Sequence, residues 1–151
     1  MNTNALPSER VALLGTVDPD VLTATAHTSD YVDAGSFESI MAVIMAGTLG
    51  SSATFDAKLV QATDSSGTGS KDISGKAITQ LTQAGTDESD KQAIINVRSE
   101  ELDLDNGFDH VALTITVGTA SSDGGGALFG LNPRYGPASD NDLASVAEIV
   151  S

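Results

Sequence analysis

Carboxylates are the commonest groups in this chain that could do chemistry. There are 21 acidic residues, and Glu100, Glu101, Asp103, Asp105 and Asp109 lie closest together. A glycosidase needs two carboxyl groups about 5–9 Å apart across a sugar. Such sites usually add aromatic platforms, and the chain has only four Phe, two Tyr and no Trp. A catalytic pair is therefore not expected. The run from Asp103 to Asp109 loosely resembles a calcium loop, with Asp103, Asp105 and Asp109 as the residues an ion would use. An EF-hand loop requires Gly at its sixth position and Glu at its twelfth. Counted from Asp103 those positions hold Phe108 and Thr114, and a tight hairpin turn explains Asp105-Asn106-Gly107 more simply.

The remaining chemical candidates are few. His27 and His110 are the only histidines. No G-x-S-x-G elbow accompanies them, so solvent-facing strand positions are the simpler reading. Gly124-Gly125-Gly126 lacks the Lys-Ser/Thr of a phosphate-binding loop. The absence of Cys removes thiolate nucleophiles, disulfides and Cys-based metal sites together. No catalytic residue, metal or cofactor is expected, and the chain reads as a non-enzyme. Arg134 and Tyr135 differ in kind. They stand in Asn132-Pro133-Arg134-Tyr135-Gly136-Pro137, where proline restricts the backbone and two large side chains are presented together. Two readings stay open: Tyr135 packs over the end of the domain while Arg134 pairs an acid, or both contact another subunit. With Arg10 they are the interface candidates.

The elements that must position these residues read as strands. VALLGTV (11–17) is a short strand stopped by Asp18-Pro19-Asp20. VLTATAH (21–27) alternates and suggests a second. In 37–47, Ile40, Ala42, Ile44 and Ala46 share one face and Met41, Val43 and Met45 the other, which predicts a central strand covered on both sides. Phe55, Ala57, Leu59 and Gln61 alternate with Asp56, Lys58 and Val60, as in a strand with one wet face. DSSGTGS (64–70) is an exposed loop. Residues 71–85 suggest an irregular strand or bulged pair, and 86–90 an acidic turn. Residues 92–98 and 110–118 alternate again, with Val111, Leu113, Ile115 and Val117 facing in. SSDGGG (121–126) reads as a loop before a last core strand, 127–131. The expected fold is all-β: an antiparallel β-sandwich or jelly roll of about eight strands. Residues 1–10 form a flexible N-terminal arm, 11–139 the sandwich, and 140–151 an extended C-terminal segment ending in a short helix or last strand.

Composition limits the partners. At 151 residues the chain buries roughly 68–70% of its unfolded surface, enough for one unstapled core. The net charge of −14 repels phosphate backbones and anionic membranes, so neither nucleic acid nor membrane is expected as a partner. Glu9 and Arg10 stand where a signal peptide would be apolar.

With SFESIMAVIMAG, VQATDSSGTGSKDISG, VRSEELDLDNGFDHVALTITVG and PRYGPAS in this order, the chain resembles small virion structural proteins of tailed bacteriophages, over roughly residues 27–139. The resemblance implies a β-sandwich of capsid decoration or cement type on the outer surface of the head, made in the host cytoplasm. It implies the major capsid protein as partner and self-association, a trimer being one such form. It carries no catalytic residues. A tail, neck or head-fibre component is the alternative. A carbohydrate-binding module is the second, and would depend on Tyr31, Tyr135 and one or two Phe.

Overall fold

The computed structural model describes residues 4–151. Among them are ten strands: β1 (Val11–Leu22), β2 (Ala26–Thr28), β3 (Val32–Asp33), β4 (Phe37–Ala46), β5 (Thr54–Ala62), β6 (Lys71–Ala77), β7 (Leu81–Thr82), β8 (Gln92–Arg98), β9 (His110–Gly118) and β10 (Ser122–Pro133). They form two antiparallel sheets. The first has the order β1-β10-β4-β8; the second has the order β2-β9-β5-β6, with β3 beside β9 and β7 beside β5.

Setting aside the two-residue strands β3 and β7 leaves eight. Their pairs are first with last, second with seventh, third with sixth and fourth with fifth, alternating between the sheets. One long hairpin rolled on itself gives that order, which makes the sandwich a jelly roll.

The core lies between the sheets. Ile40, Ala42, Ile44 and Ala46 on β4 and Ile95 and Val97 on β8 face Phe55, Ala57 and Leu59 on β5 and Val111, Leu113, Ile115 and Val117 on β9, all buried. Small aliphatic side chains fill it, and Phe37 and Phe55 are its aromatic members. Its buried polar groups are partnered: among the described residues no buried side-chain N or O lacks a hydrogen bond. Ser29 Oγ accepts from Leu113 N, Gln61 Oε1 from Asp103 N and Ser122 Oγ from Gly50 N.

Several expectations are corrected. Asp18-Pro19-Asp20 does not end β1; the strand runs to Leu22 with a bulge between Val17 and Asp20. The bulge leaves Pro19 outside the ladder, where its missing N–H costs nothing. The strand expected over 21–27 is consequently split: Val21 and Leu22 end β1, and Ala26 and His27 begin β2. SSDGGG is no loop: the three glycines lie within β10, hydrogen-bonded between β1 and β4. Asp105-Asn106-Gly107 does make a tight turn, a 3-10 turn over Leu104–Asn106 with Gly107 at φ 81. It does not close a hairpin, because β8 and β9 belong to different sheets. The irregular pair expected in 71–85 is β6 and β7, both on β5, with a bulge in the β5–β6 register between Lys58 and Val60. The last residues are neither helix nor strand beyond a 3-10 turn over Ala138–Asn141. Asp142 Oδ1 instead accepts from Leu13 N, and Leu143 N donates to Leu13 O. The C-terminal segment thus satisfies backbone groups of the β1 edge. At the other end Pro7–Glu9 is a short 3-10 turn, and residues 1–3 of the proposed arm lie outside the described residues.

Candidate functional site: the outer face of the first sheet

β4 is central in its sheet, between β10 and β8, but only one of its faces is covered. Its alternation puts Met41, Val43 and Met45 on the side away from the core. Met45 is 57% exposed. Cross-strand register carries the same face onto its neighbours: Met41 lies opposite Phe129 and Asn96, Val43 opposite Ala127 and Ile94, Met45 opposite Gly125 and Gln92. Ile94 is 61% exposed. The expectation of a strand covered on both sides fails because a second apolar row can face an open surface as well as a second layer.

A groove of about 810 Å³ runs along this face. Val43, Met45, Ala127 and Phe129 lie on its floor and Thr16, Pro19, Asp20 and Val21 of β1 along one side. Val21 is 60% exposed. The bulge of β1 shapes that wall. A Cβ on Gly125 would stand 2.9 Å from Pro19 Cα and Val17 O, so only glycine lets the bulged segment come down against β10. The neighbouring glycines do the same toward the core. A Cβ on Gly124 would meet Phe55 Cε2 at 2.7 Å, and one on Gly126 would meet Leu113 Cδ2 at 2.6 Å. The triple glycine is a packing device for both faces of one strand.

The groove also carries charge. Asp20, Asp90 and Asp123 line it. Asp20 Oδ1 accepts from the N–H of Val21 at 2.7 Å. None of the three joins an ion pair among the described residues. Lys91, next to Asp90 in sequence, is not among the lining residues.

The residues singled out from the sequence lie elsewhere. Asp103, Asp105 and Asp109 are not gathered round a common point: Asp103 accepts from Lys71 Nζ and Asn106 Nδ2, and Asp109 Oδ1 lies 2.6 Å from His110 Nδ1. No group of three or more potential metal-binding side chains occurs among the described residues. The Lys71 ammonium holds the Asp103 carboxyl below its ordinary range, aided by Asn106; Lys76, 2.8 Å away, does the same for Glu101, with the Arg98 backbone N–H. These carboxylates tie the segment after β8 to β6. His27 Nε2 lies 3.0 Å from Thr23 O, and neither histidine meets a serine nucleophile.

Arg134, Tyr135 and Arg10 do come to one end of the sandwich. Asn132 N donates to Arg10 O, and Arg134 reaches Phe37 O through Nε at 3.3 Å. Tyr135 is 78% exposed. It does not pack over the sandwich end, and Arg134 bonds a carbonyl where an acid was the alternative. Tyr31 is committed within the fold: its hydroxyl donates to Ser70 Oγ at 2.7 Å and its ring lies where a Cβ on Gly67 would be, 2.5 Å away. The outer-face groove was the feature that residue-type reasoning missed. Its signal was present in Met41, Val43 and Met45.

The fold and this face define an all-β jelly roll bearing an open apolar groove. No family model matches the chain, and no curated protein matches it. Among solved structures, a chain from Bacillus endospore appendages, described as disulfide-linked pili, is similar over 88% of this chain and 98% of its own, with 16% identity and a TM-score of 0.39. A chain of the infectious bursal disease virus Gt strain is similar over 86% of this chain, with 13% identity and a TM-score of 0.43. One from the Gx strain gives 86%, 14% and 0.37. This chain spans 34% of each viral chain. All three TM-scores lie below 0.5, too low to carry fold or function over to this chain. Among the described residues no helix is long and apolar enough to cross a membrane.

Proposed function

We propose that this chain is a structural protein of a virus particle, a decoration or cement protein of a tailed-phage head, and that it does no catalysis. The observation that carries the reading is the open outer face of the β1-β10-β4-β8 sheet. A sandwich with net charge −14 keeps Met45, Ile94 and Val21 in water on one contiguous face, and contiguous apolar exposure of that kind marks a surface that is covered in use. Burying what remains exposed of each such side chain contributes about 1–2 kcal/mol against the cost of association. Repetition over many copies on a shell adds the rest by avidity. On this reading the surface it covers is the outside of a phage head, with the major capsid protein beneath, as the resemblance to phage virion proteins implies. Self-association through the end carrying Arg10, Arg134 and Tyr135 belongs to the same reading.

The test is removal and return. Particles assembled without the protein should show bare, fragile heads by electron microscopy. Purified protein should rebind them, and the Met45→Glu/Ile94→Glu double variant should not. Unchanged particles would refute the reading, and label on the tail would move the protein there. Light scattering during size-exclusion chromatography checks self-association: a clean monomer removes that part.

A further inference from the structure

We infer that the groove on the outer face takes an apolar segment of a partner protein that carries lysine or arginine where it meets Asp20, Asp90 and Asp123. The inference rests on the attachment reading of the same face and adds the chemistry of the occupant. Three observations select it. The floor is apolar, with Phe129, Ala127, Val43 and Met45 along a groove of about 810 Å³. This suits an apolar segment laying small aliphatic side chains into it. The three lining carboxylates are exposed and have no cation of this chain beside them in an ion pair. A second copy laid face to face is disfavoured as occupant, since it would bring Asp20, Asp90 and Asp123 of each copy into one interface. Opposite charge on the partner speeds encounter and sets the direction in which the segment lies.

The experiment uses the whole chain and two synthetic octapeptides of alternating valine and serine. One ends in two lysines, the other in two glutamates. Binding is followed by backbone amide signals in NMR titrations at low and high salt. The lysine peptide should shift the signals of Val43, Met45 and Gly125, and more weakly at high salt; the glutamate peptide should not. In the Asp20→Asn/Asp90→Asn/Asp123→Asn variant, affinity for the lysine peptide should fall by about 1.4- to 5-fold for each carboxylate removed. The Asp105→Asn/Asp140→Asn/Glu148→Gln variant makes the same change in net charge elsewhere on the surface and should bind as the parent does. Equal loss in both triple variants, equal binding of both peptides, shifts confined to another face, or no binding at millimolar peptide would each overturn the inference. Head rebinding separates its failure from that of the attachment reading. If Met45→Glu/Ile94→Glu abolishes rebinding while the aspartate variant rebinds normally, attachment stands and the basic occupant falls. If the parent protein does not rebind, attachment falls.

Discussion

Gly130→Ala is the sharpest test of how β10 is packed. An added Cβ would stand 2.7 Å from three ring atoms of Phe37, where ordinary contact begins at 3.4 Å. The ring would have to retreat 0.7 Å, and it has little room to do so: Phe37 is 1% exposed. Its backbone is held as well, because Phe37 O accepts from Ser99 Oγ and Arg134 Nε and the residue pairs with Pro133 in the ladder. Overpacking of this kind costs about 1–3 kcal/mol. Replacing glycine restricts the unfolded chain and returns about 0.4–1 kcal/mol, which leaves a net loss between about 0 and 2.6 kcal/mol, centred near 1.3 kcal/mol. Guanidinium denaturation should show the midpoint falling with an unchanged slope. Tm should drop by roughly 2–8 °C for a chain of this length. The decisive arm is the Phe37→Leu background. There the narrower side chain leaves space for the methyl group, and Gly130→Ala should cost at least about 0.5 kcal/mol less. A stabilising Gly130→Ala, or an equal cost in both backgrounds, would refute the reasoning.

Other outcomes follow from the same structure. Ser122→Ala removes the acceptor of Gly50 N–H at 3.0 Å and should lower unfolding free energy by about 1–2 kcal/mol. Gly67→Ala forces a side chain onto a backbone at φ 81 and against the Tyr31 ring, so proteolysis should cut within 64–70 faster than in the parent while the far-UV spectrum stays unchanged. Met45→Glu/Ile94→Glu, on an exposed face, should leave stability within about 0.5 kcal/mol of the parent by chemical denaturation, although it abolishes head rebinding. Acid should destabilise the chain through Asp64, Asp87, Glu101 and Asp103. Their carboxyls are held below the ordinary range chiefly by the Thr68 and Ser89 hydroxyls, Lys76 and Lys71 respectively. With the folded value below the unfolded one, their contribution is present above the ordinary carboxylate range and is lost as pH falls through the lowered values. Tm should therefore be level from pH 7 to about 5 and fall below about pH 4; a Tm that rises below pH 4 would refute this.

The strand alternation in β4, β5, β8 and β9 was legible because one face of each is apolar and meets the core, and period-2 burial writes itself directly into residue type. Three things were not legible. The Gly124-Gly125-Gly126 run has the composition of a loop, and its strand character depends on Phe55, Leu113 and the β1 bulge, which come from distant parts of the chain. Asp18-Pro19-Asp20 carries the residues of a turn, and only pairing with 122–124 shows that β1 absorbs them as a bulge. The outer row Met41, Val43, Met45 announces an apolar environment but not its supplier. In a strand covered on both faces that supplier is another layer; here Met45 and, beside it, Ile94 stand in water. The candidate site escaped sequence reading for that last reason, while Asp103, Asp105 and Asp109 drew notice through residue type alone and proved to be tied in part to Lys71, Asn106 and His110.

The charge and the open face explain each other. A rolled hairpin has two outer sheet faces and nothing in its topology to cover them. The C-terminal segment is spent on Leu13 at the β1 edge. A row containing Met45 and Ile94 in water invites self-association, and like charge opposes it. With 21 acidic residues against 7 basic, two copies meeting face to face bring Asp20, Asp90 and Asp123 of each into one interface. A surface carrying cations meets no such opposition. On the proposed reading, the same acidity that opposes pairing of two copies through the groove favours a partner of opposite charge there.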